Sequence, residues 1–128
     1  MAECDWIILC DYAFLAARNK VSLIGIFDTI YARELPIRHD RPHVAMSIVG
    51  EPGESVQAKL EIIGPSGQVV AGGRLEAVLP DSGSAQMSLQ LPVLELSEWG
   101  RHAIQIDLGY QQVKSAWFTV TRIQQAPR

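Results

Sequence analysis

Apolar and polar residues alternate with a period of two through most of this chain. From residue 56 to 62 every second residue is Val, Ala, Leu or Ile, and Gln, Lys and Glu stand between them. The same alternation returns in 101–110, where His102 and Tyr110 share the apolar side. A strand with one face in a core has this pattern, and helical spacing is nearly absent. The pattern therefore predicts an all-β protein.

The alternating segments predict about eight strands, separated by stretches rich in turn-forming residues. Because no strand–helix–strand unit fits in the gaps, we expect antiparallel pairing throughout. The segment 96–100 is predicted to form one turn of helix, with Ser97 as its N-cap. The predicted strands span 5–15, 21–31, 43–49, 56–63, 69–79, 86–92, 101–109 and 113–121.

Strands with no covering helices must bury their faces on each other. We therefore predict an antiparallel, immunoglobulin-like β-sandwich. A length of 128 residues, with no internal repeat or linker, indicates one domain over 1–128.

The first two predicted strands, 5–15 and 21–31, are apolar on both faces, unlike the others. A strand is apolar on both faces when a layer of the protein covers each face. Without helices, the second cover is predicted to be either another copy of the chain or the connection 31–43. On this interpretation, Ile8→Glu or Ile24→Glu would unfold the domain or split an oligomer.

Charge and composition argue against some classes of binding partner. The net charge is −3, and Lys and Arg form no cluster of the kind that nucleic-acid binding needs. Asp11 and Lys20 interrupt the longest apolar run, so we predict no membrane span. The first residues lack a basic region and a cleavage site, which favours a cytoplasmic location.

The two cysteines, Cys4 and Cys10, are predicted to be buried free thiols. On one strand they would lie about 20 Å apart, since a strand rises roughly 3.3 Å per residue. A disulfide needs Cα atoms within about 7 Å. Free thiols agree with a reducing compartment.

Two aspartates lie within the apolar start of the chain, and their spacing leaves two alternatives. A two-residue loop at 19–20 would place Asp11 opposite Asp28, and facing carboxylates occur in catalytic dyads and cation sites. A four-residue loop at 17–20 would place Asp11 opposite Ile26 instead. In that case each carboxylate only caps a turn or accepts backbone hydrogen bonds near a strand end.

The connection 31–43 is rich in basic residues. His39 and His43 have a spacing that would suit metal ligands on a helix, but nearby prolines disfavour a helix and no third ligand is in view. We predict no metal and no cofactor. Arg33, Arg38 and Arg41 are instead predicted to meet an anion or an acidic partner surface.

Three tryptophans invite a carbohydrate-platform reading, but Trp6, Trp99 and Trp117 lie on different elements. Core packing is the preferred interpretation for most of them. Trp117 is the exception, because it points outward if Phe118 and Val120 face the core. An exposed tryptophan is a plausible anchor for a partner.

The segments "LCDYA" at 9–13 and "LIGIFD" at 23–28, with Gly100 before a strand near the end, carry a resemblance. Together they resemble a family of small bacterial β-sandwich proteins of unknown function. His102 stands where immunoglobulin-like patterns often carry tyrosine, so a tyrosine-corner hydrogen bond is in doubt there. The resemblance implies the fold and supplies no activity, cofactor or catalytic residue.

The chain contains none of the usual nucleophile, phosphate-loop or zinc-protease motifs. We therefore predict a non-enzymatic protein-binding or structural module that binds a protein partner or its own copy. The predicted partner-binding residues are Arg33, Arg38, Arg41 and Trp117, together with the outer face of the first hairpin. The alternatives are a small-ligand or carbohydrate-binding module and an enzyme that uses Asp11 and Asp28.

Overall fold

The structure, a computed structural model, describes residues 1–17, 20–109 and 113–123. Within these ranges the chain forms eleven strands and no α-helix. The strands are β1 (Glu3–Ala16), β2 (Lys20–Ile26), β3 (Thr29–Ala32), β4 (Ile37–His39), β5 (His43–Val49), β6 (Ser55–Ile63), β7 (Val69–Val78), β8 (Ser84–Gln90), β9 (Leu94–Leu96), β10 (Gly100–Asp107) and β11 (Val113–Arg122). No described segment is a helix long and apolar enough to cross a membrane.

The strands form two main sheets. The first has the order β2-β1-β5-β8 and the second the order β3-β11-β10-β6-β7, while β4 and β9 make a small two-stranded sheet. One sheet thus holds the first, fifth and eighth strands, and the other holds the sixth, tenth and eleventh. This is how immunoglobulin domains divide strands A, B and E from strands C, F and G, with β7 beside β6 as strand C′. The predicted all-β, immunoglobulin-like sandwich is confirmed.

Three details of the predicted strands are wrong. The single strand 21–31 is two strands, because β2 ends at Ile26 and the chain crosses to the second sheet as β3. There β3 runs parallel to β11, so the pairing is not antiparallel throughout. The short strands β4 and β9 were also missed, since three residues each are too few for alternation to show.

The predicted helical turn over 96–100 is also wrong. Leu96 ends β9 and Gly100 begins β10, with no helix between them. Leu94 and Leu96 are fully buried, because the pairing of β9 with β4 directs both side chains into the core. A Ser N-cap therefore has no helix to begin.

The core lies between the two sheets, and alternation assigned its faces correctly. In β6 the buried residues are Val56, Ala58, Leu60 and Ile62, as the pattern predicts. His102 is 1% exposed, and its ring stacks on Phe118 with centroids 4.9 Å apart. His102 Nδ1 lies 3.1 Å from the Gly100 backbone oxygen, which can only accept, so Nδ1 donates this hydrogen bond. Tyr110 falls outside the described residues.

Candidate interaction surface

The first hairpin extends past the sandwich. β5 begins at His43, which lies opposite Cys10. Beyond that point β1 continues to Ala16, and β2 is its only partner among the described strands. The immunoglobulin frame has no counterpart of β2 at this edge. The hairpin is therefore a two-stranded ribbon added to a complete fold, and such a ribbon is only marginally stable by itself.

Four large apolar side chains share the outer face of this ribbon. Register pairs Tyr12 with Ile24 and Cys10 with Ile26, so these residues point to the same side, and Phe14 follows on that side. Their exposed fractions are 51% for Tyr12, 39% for Phe14, 57% for Ile24 and 63% for Ile26. We call these four residues the hairpin face.

The hairpin face corrects the expectation of a doubly covered strand. No segment among the described residues buries the hairpin face, and Ile24 is an exposed residue. The connection 31–43 does not cover it, because β4 within that connection pairs with β9. Whether another copy of the chain covers it stays a prediction.

Aromatic contacts order the hairpin face. The rings of Tyr12 and Phe14 lie 5.8 Å apart and tilted, and the Tyr12 ring meets His43 edge-on at 5.1 Å. His43 is 7% exposed, and its Nδ1 lies 3.2 Å from the Asp11 backbone oxygen. The buried start of β5 thus supports the rings at the base of the ribbon.

The other side of the ribbon carries a polar contact. Neither of the two registers predicted from the sequence includes it. Asp11 Oδ1 lies 3.2 Å from His39 Nε2, and the His39 ring stacks on Phe27 with centroids 4.9 Å apart. His39 Nδ1 is buried with no hydrogen-bond partner among the described residues. Nε2 is the donor in the contact with Asp11, because an ionised carboxylate oxygen only accepts.

The backbone conformation and the nearby Asp11 side chain together require glycine at residue 25. Its φ of +71° lies in the left-handed region, and a Cβ atom built there would collide with the Asp11 carboxylate. Only glycine satisfies both conditions without strain. The glycine in "LIGIFD" is thus explained by the side chain across the ribbon.

Both predicted registers for the aspartates are wrong. Ala16 pairs with Lys20 and Tyr12 with Ile24, and Asp11 lies across from Gly25. Asp28 follows β2, where its Oδ1 accepts a 3.0 Å hydrogen bond from Thr29 Oγ1. The facing carboxylates on which the enzyme alternative depended do not form.

The two histidines of the connection contact Asp11 through different atoms, His39 through the carboxylate and His43 through the backbone oxygen. Among the described residues no group of three His, Cys, Asp or Glu side chains is arranged to hold a metal ion.

The predicted arginines are all exposed and have different contacts. Arg38 Nε lies 3.8 Å from Glu95 Oε2, across the β4–β9 pair. The Arg33 backbone oxygen accepts a 3.3 Å hydrogen bond from Arg122, and Arg41 has a φ of 43°. Their role toward a partner stays a prediction.

Trp117 points outward, as predicted, with 48% of its surface exposed while Phe118 is buried. The Arg101 guanidinium lies 4.1 Å from the Trp117 ring centroid, and Arg122 lies 5.0 Å from that of Trp99. Trp6 is half-buried. Arg101 and Trp117 form a cation–π pair on the outer surface of the second sheet.

Both cysteines are free and buried, as predicted. Burial raises the pKa of Cys4 to about 11 and also raises the pKa of Cys10. The reactive thiolate is therefore scarce at neutral pH. We expect neither thiol to react with Ellman's reagent at pH 8 until denaturant is added. Rapid reaction of the native protein would contradict the burial of both thiols.

A cleft of about 510 Å³ opens beside β6, β7 and the end of β10. Its charged lining includes Glu54, Lys59, Arg74 and Asp107. Hydrogen bonds from the backbone N–H groups of Glu51 and Ala2 lower the pKa of Glu54. Alternation gave no signal for this cleft, because it gathers residues from both faces of the strands.

Comparison with known proteins supports the resemblance noted from the sequence. Among solved structures, the chain is similar to an immunoglobulin-like protein from Pseudomonas aeruginosa, with 14% identity, a TM-score of 0.43, and coverage of 94% of this chain and 96% of that one. Among curated proteins, none matches the chain. A family model described as "Family of unknown function (DUF6941)" matches residues 5–121, and the chain belongs to that family.

Proposed function

We propose that this chain is a non-enzymatic protein-binding module and that the hairpin face is its binding surface. The main observation in support is the exposure of the hairpin face. All four of its side chains are at least 39% exposed on one side of the projecting ribbon. Scattered exposed apolar residues are ordinary, but a contiguous group on one face marks an interaction site. Its four members are uncharged and include two aromatic anchors, which suits the apolar centre of a protein interface.

The energetics favour a protein partner for this surface. Full burial of one large apolar side chain contributes about 1.5–3 kcal/mol. Four such residues on a support held by the Asp11–His39 contact also lose little conformational freedom on binding. Arg33, Arg38, Arg41 and Trp117 are proposed as secondary contacts for acidic or apolar groups of a partner.

Ile24→Glu is expected to leave the melting temperature unchanged and to abolish protein binding. Ile24 is 57% exposed, so a carboxylate there stays hydrated in the free chain and is buried unpaired in a complex. The test compares, by quantitative affinity capture, the proteins retained by the wild type and by the variant.

The matched control is Val78→Glu. Val78 is 67% exposed on the other sheet and belongs to a different surface. We expect this variant to retain the wild-type set of proteins. If wild type, Ile24→Glu and Val78→Glu all retained the same proteins, the hairpin face would not be the binding surface.

The location we propose is cytoplasmic. What supports it is the pair of free thiols Cys4 and Cys10, since secreted domains of this size commonly form disulfides. Exposure of the chain to an oxidising compartment, detected by fractionation of cells, would overturn this part of the proposal.

A further inference from the structure

β8 is an edge strand, because it stands at the end of its sheet and pairs only with β5 among the described strands. β2 comes within 8 Å of β8 between Cα atoms, but it does not pair with β8. The pairing of β8 with β5 is regular over the whole length of β8. In the same register, just past the end of β8, the Leu91 N–H donates a 2.8 Å hydrogen bond to the Pro42 backbone oxygen. No residue from 84 to 91 has a positive φ, so the backbone alternation continues unbroken through the strand.

This alternation determines which backbone groups of β8 are free. In an antiparallel pair, residues whose N–H and C=O groups bond to the partner strand alternate with residues whose groups point away from it. Leu91 bonds to the β5 side, so the odd-numbered residues of β8 do the same. The other end of the strand agrees, because the Gly83 backbone oxygen accepts a 2.8 Å hydrogen bond from the Gly50 N–H. The residues whose N–H and C=O groups point to the free edge are therefore Ser84, Gln86, Ser88 and Gln90.

The residues of β8 leave this edge unprotected. Edge strands are normally kept from pairing with another chain by charged residues, proline, bulges or short length. β7 carries Arg74 and Glu76, β2 carries Lys20 and the left-handed Gly25, and β3 has only four residues. β8 has seven residues, with no charged residue, proline, glycine or register shift. Among the edges that the structure describes in the two main sheets, β8 is thus the one whose sequence does not oppose pairing.

The two faces of β8 match those of its own copy. On the core side, three half-buried residues pack against the core: Ala85, Met87 and Leu89. On the outer side, Gln86 and Gln90 are exposed. A strand added to this edge must supply apolar side chains on the core side and uncharged polar ones on the outer side. An antiparallel second β8 centred on Met87 supplies both over all seven residues. It sets Ala85 opposite Leu89, and it brings no like charges together although the chain has a net charge of −3.

We propose that a second copy of this chain pairs along β8, antiparallel and about a two-fold axis at Met87, so that the two first sheets become one eight-stranded sheet. Gln86 of each copy then lies opposite Ser88 of the other, and each such pair exchanges two backbone hydrogen bonds. The contact is isologous and uses the unprotected edge of both copies, so the assembly closes as a dimer. It uses no residue of the hairpin face, so the inference goes beyond the proposed function and does not rest on it.

The edge can be blocked without disturbing the pairing of β8 with β5. The Ser88 N–H points away from β5, so Ser88→Pro removes a donor that this pairing does not use. Ser88→Ala is the matched control and keeps that donor. By light scattering after size exclusion, across a tenfold dilution, we expect a dimer of the 14.1 kDa chain for wild type and Ser88→Ala. Ser88→Pro is expected to be a monomer with an unchanged β-rich circular dichroism spectrum.

Two double variants that change the same two residues test the register of the contact. Gln86→Lys with Ser88→Lys sets lysines opposite each other in both pairs that flank the axis. Gln86→Lys with Ser88→Glu sets opposite charges there instead. We expect the first variant to have a dimer dissociation constant about tenfold or more above that of the second. Equal dissociation constants for the two variants would overturn the proposal.

Two further results would contradict this dimer. A wild type that stays monomeric at every concentration would overturn the proposal and leave the β8 edge to an extended segment of a different protein. A dimer that a folded Ser88→Pro leaves intact would overturn it as well, since the two copies would then meet elsewhere. Neither result bears on the proposed function, which is tested by the capture of other proteins at the hairpin face.

Discussion

Phe118→Ala is expected to lower the free energy of unfolding by about 3–5 kcal/mol, the range for removing a buried aromatic ring. Phe118 is 1% exposed and stacks on the buried ring of His102. Truncation leaves a cavity between the sheets and removes one face of the His102 packing. Urea denaturation followed by circular dichroism measures the loss.

Trp117→Ala is the control for that experiment. It removes a larger side chain one residue earlier on the same strand, but Trp117 is 48% exposed. Its loss is expected to cost about 1 kcal/mol or less, mostly the cation–π contact with Arg101. Equal destabilisation by the two variants would mean that β11 does not present one side to the core and the other to solvent.

Gly25→Ala is expected to destabilise the protein by about 1–3 kcal/mol from backbone strain, with an added cost from the collision with Asp11. Gly53→Ala provides a matched reference, because Gly53 has a φ of +79° and no heavy atom within 4 Å of a built Cβ. The difference between the two variants, measured by urea denaturation, is the cost of the collision.

The double variant Asp11→Ala with Gly25→Ala tests the cause. Removing the carboxylate relieves most of the collision, so the added cost of Gly25→Ala is expected to shrink toward that of Gly53→Ala. Strictly additive effects of the two substitutions would show that the Asp11 side chain does not lie over Gly25.

Alternation predicted the faces of the strands well because period two is a local property of the backbone. In β6 and β11 it placed Ile62 and Phe118 in the core and Trp117 in solvent. It could not set the register of the first hairpin, which depends on the length of the loop between β1 and β2. One residue of difference in that loop decides whether Asp11 faces Gly25 or another residue.

Long-range pairing was also beyond the sequence. The parallel contact of β3 with β11 joins segments about ninety residues apart, and the Asp28 backbone oxygen accepts a 2.8 Å hydrogen bond from Thr119 there. The contact of His39 with Asp11 likewise depends on β4 pairing with β9. Local residue patterns carry no information about such partners.

The apolar outer face of the hairpin shows a third limit. A strand with two apolar faces reads the same whether its second face is covered within the chain or is presented to a partner. The structure distinguishes the two cases for Tyr12 and Ile24, since both are more than half exposed. Exposure, not hydrophobicity, is what makes the hairpin face a candidate site.

The most direct test of the hairpin face is site-specific photo-crosslinking in the native cells. A photoreactive phenylalanine analogue replaces Ile24 in one variant and Val78 in the other, both more than half exposed. We predict protein adducts, identified by mass spectrometry, from position 24 and few or none from position 78. An absence of adducts at position 24, or equal adducts at both positions, would contradict the hairpin face as the binding surface.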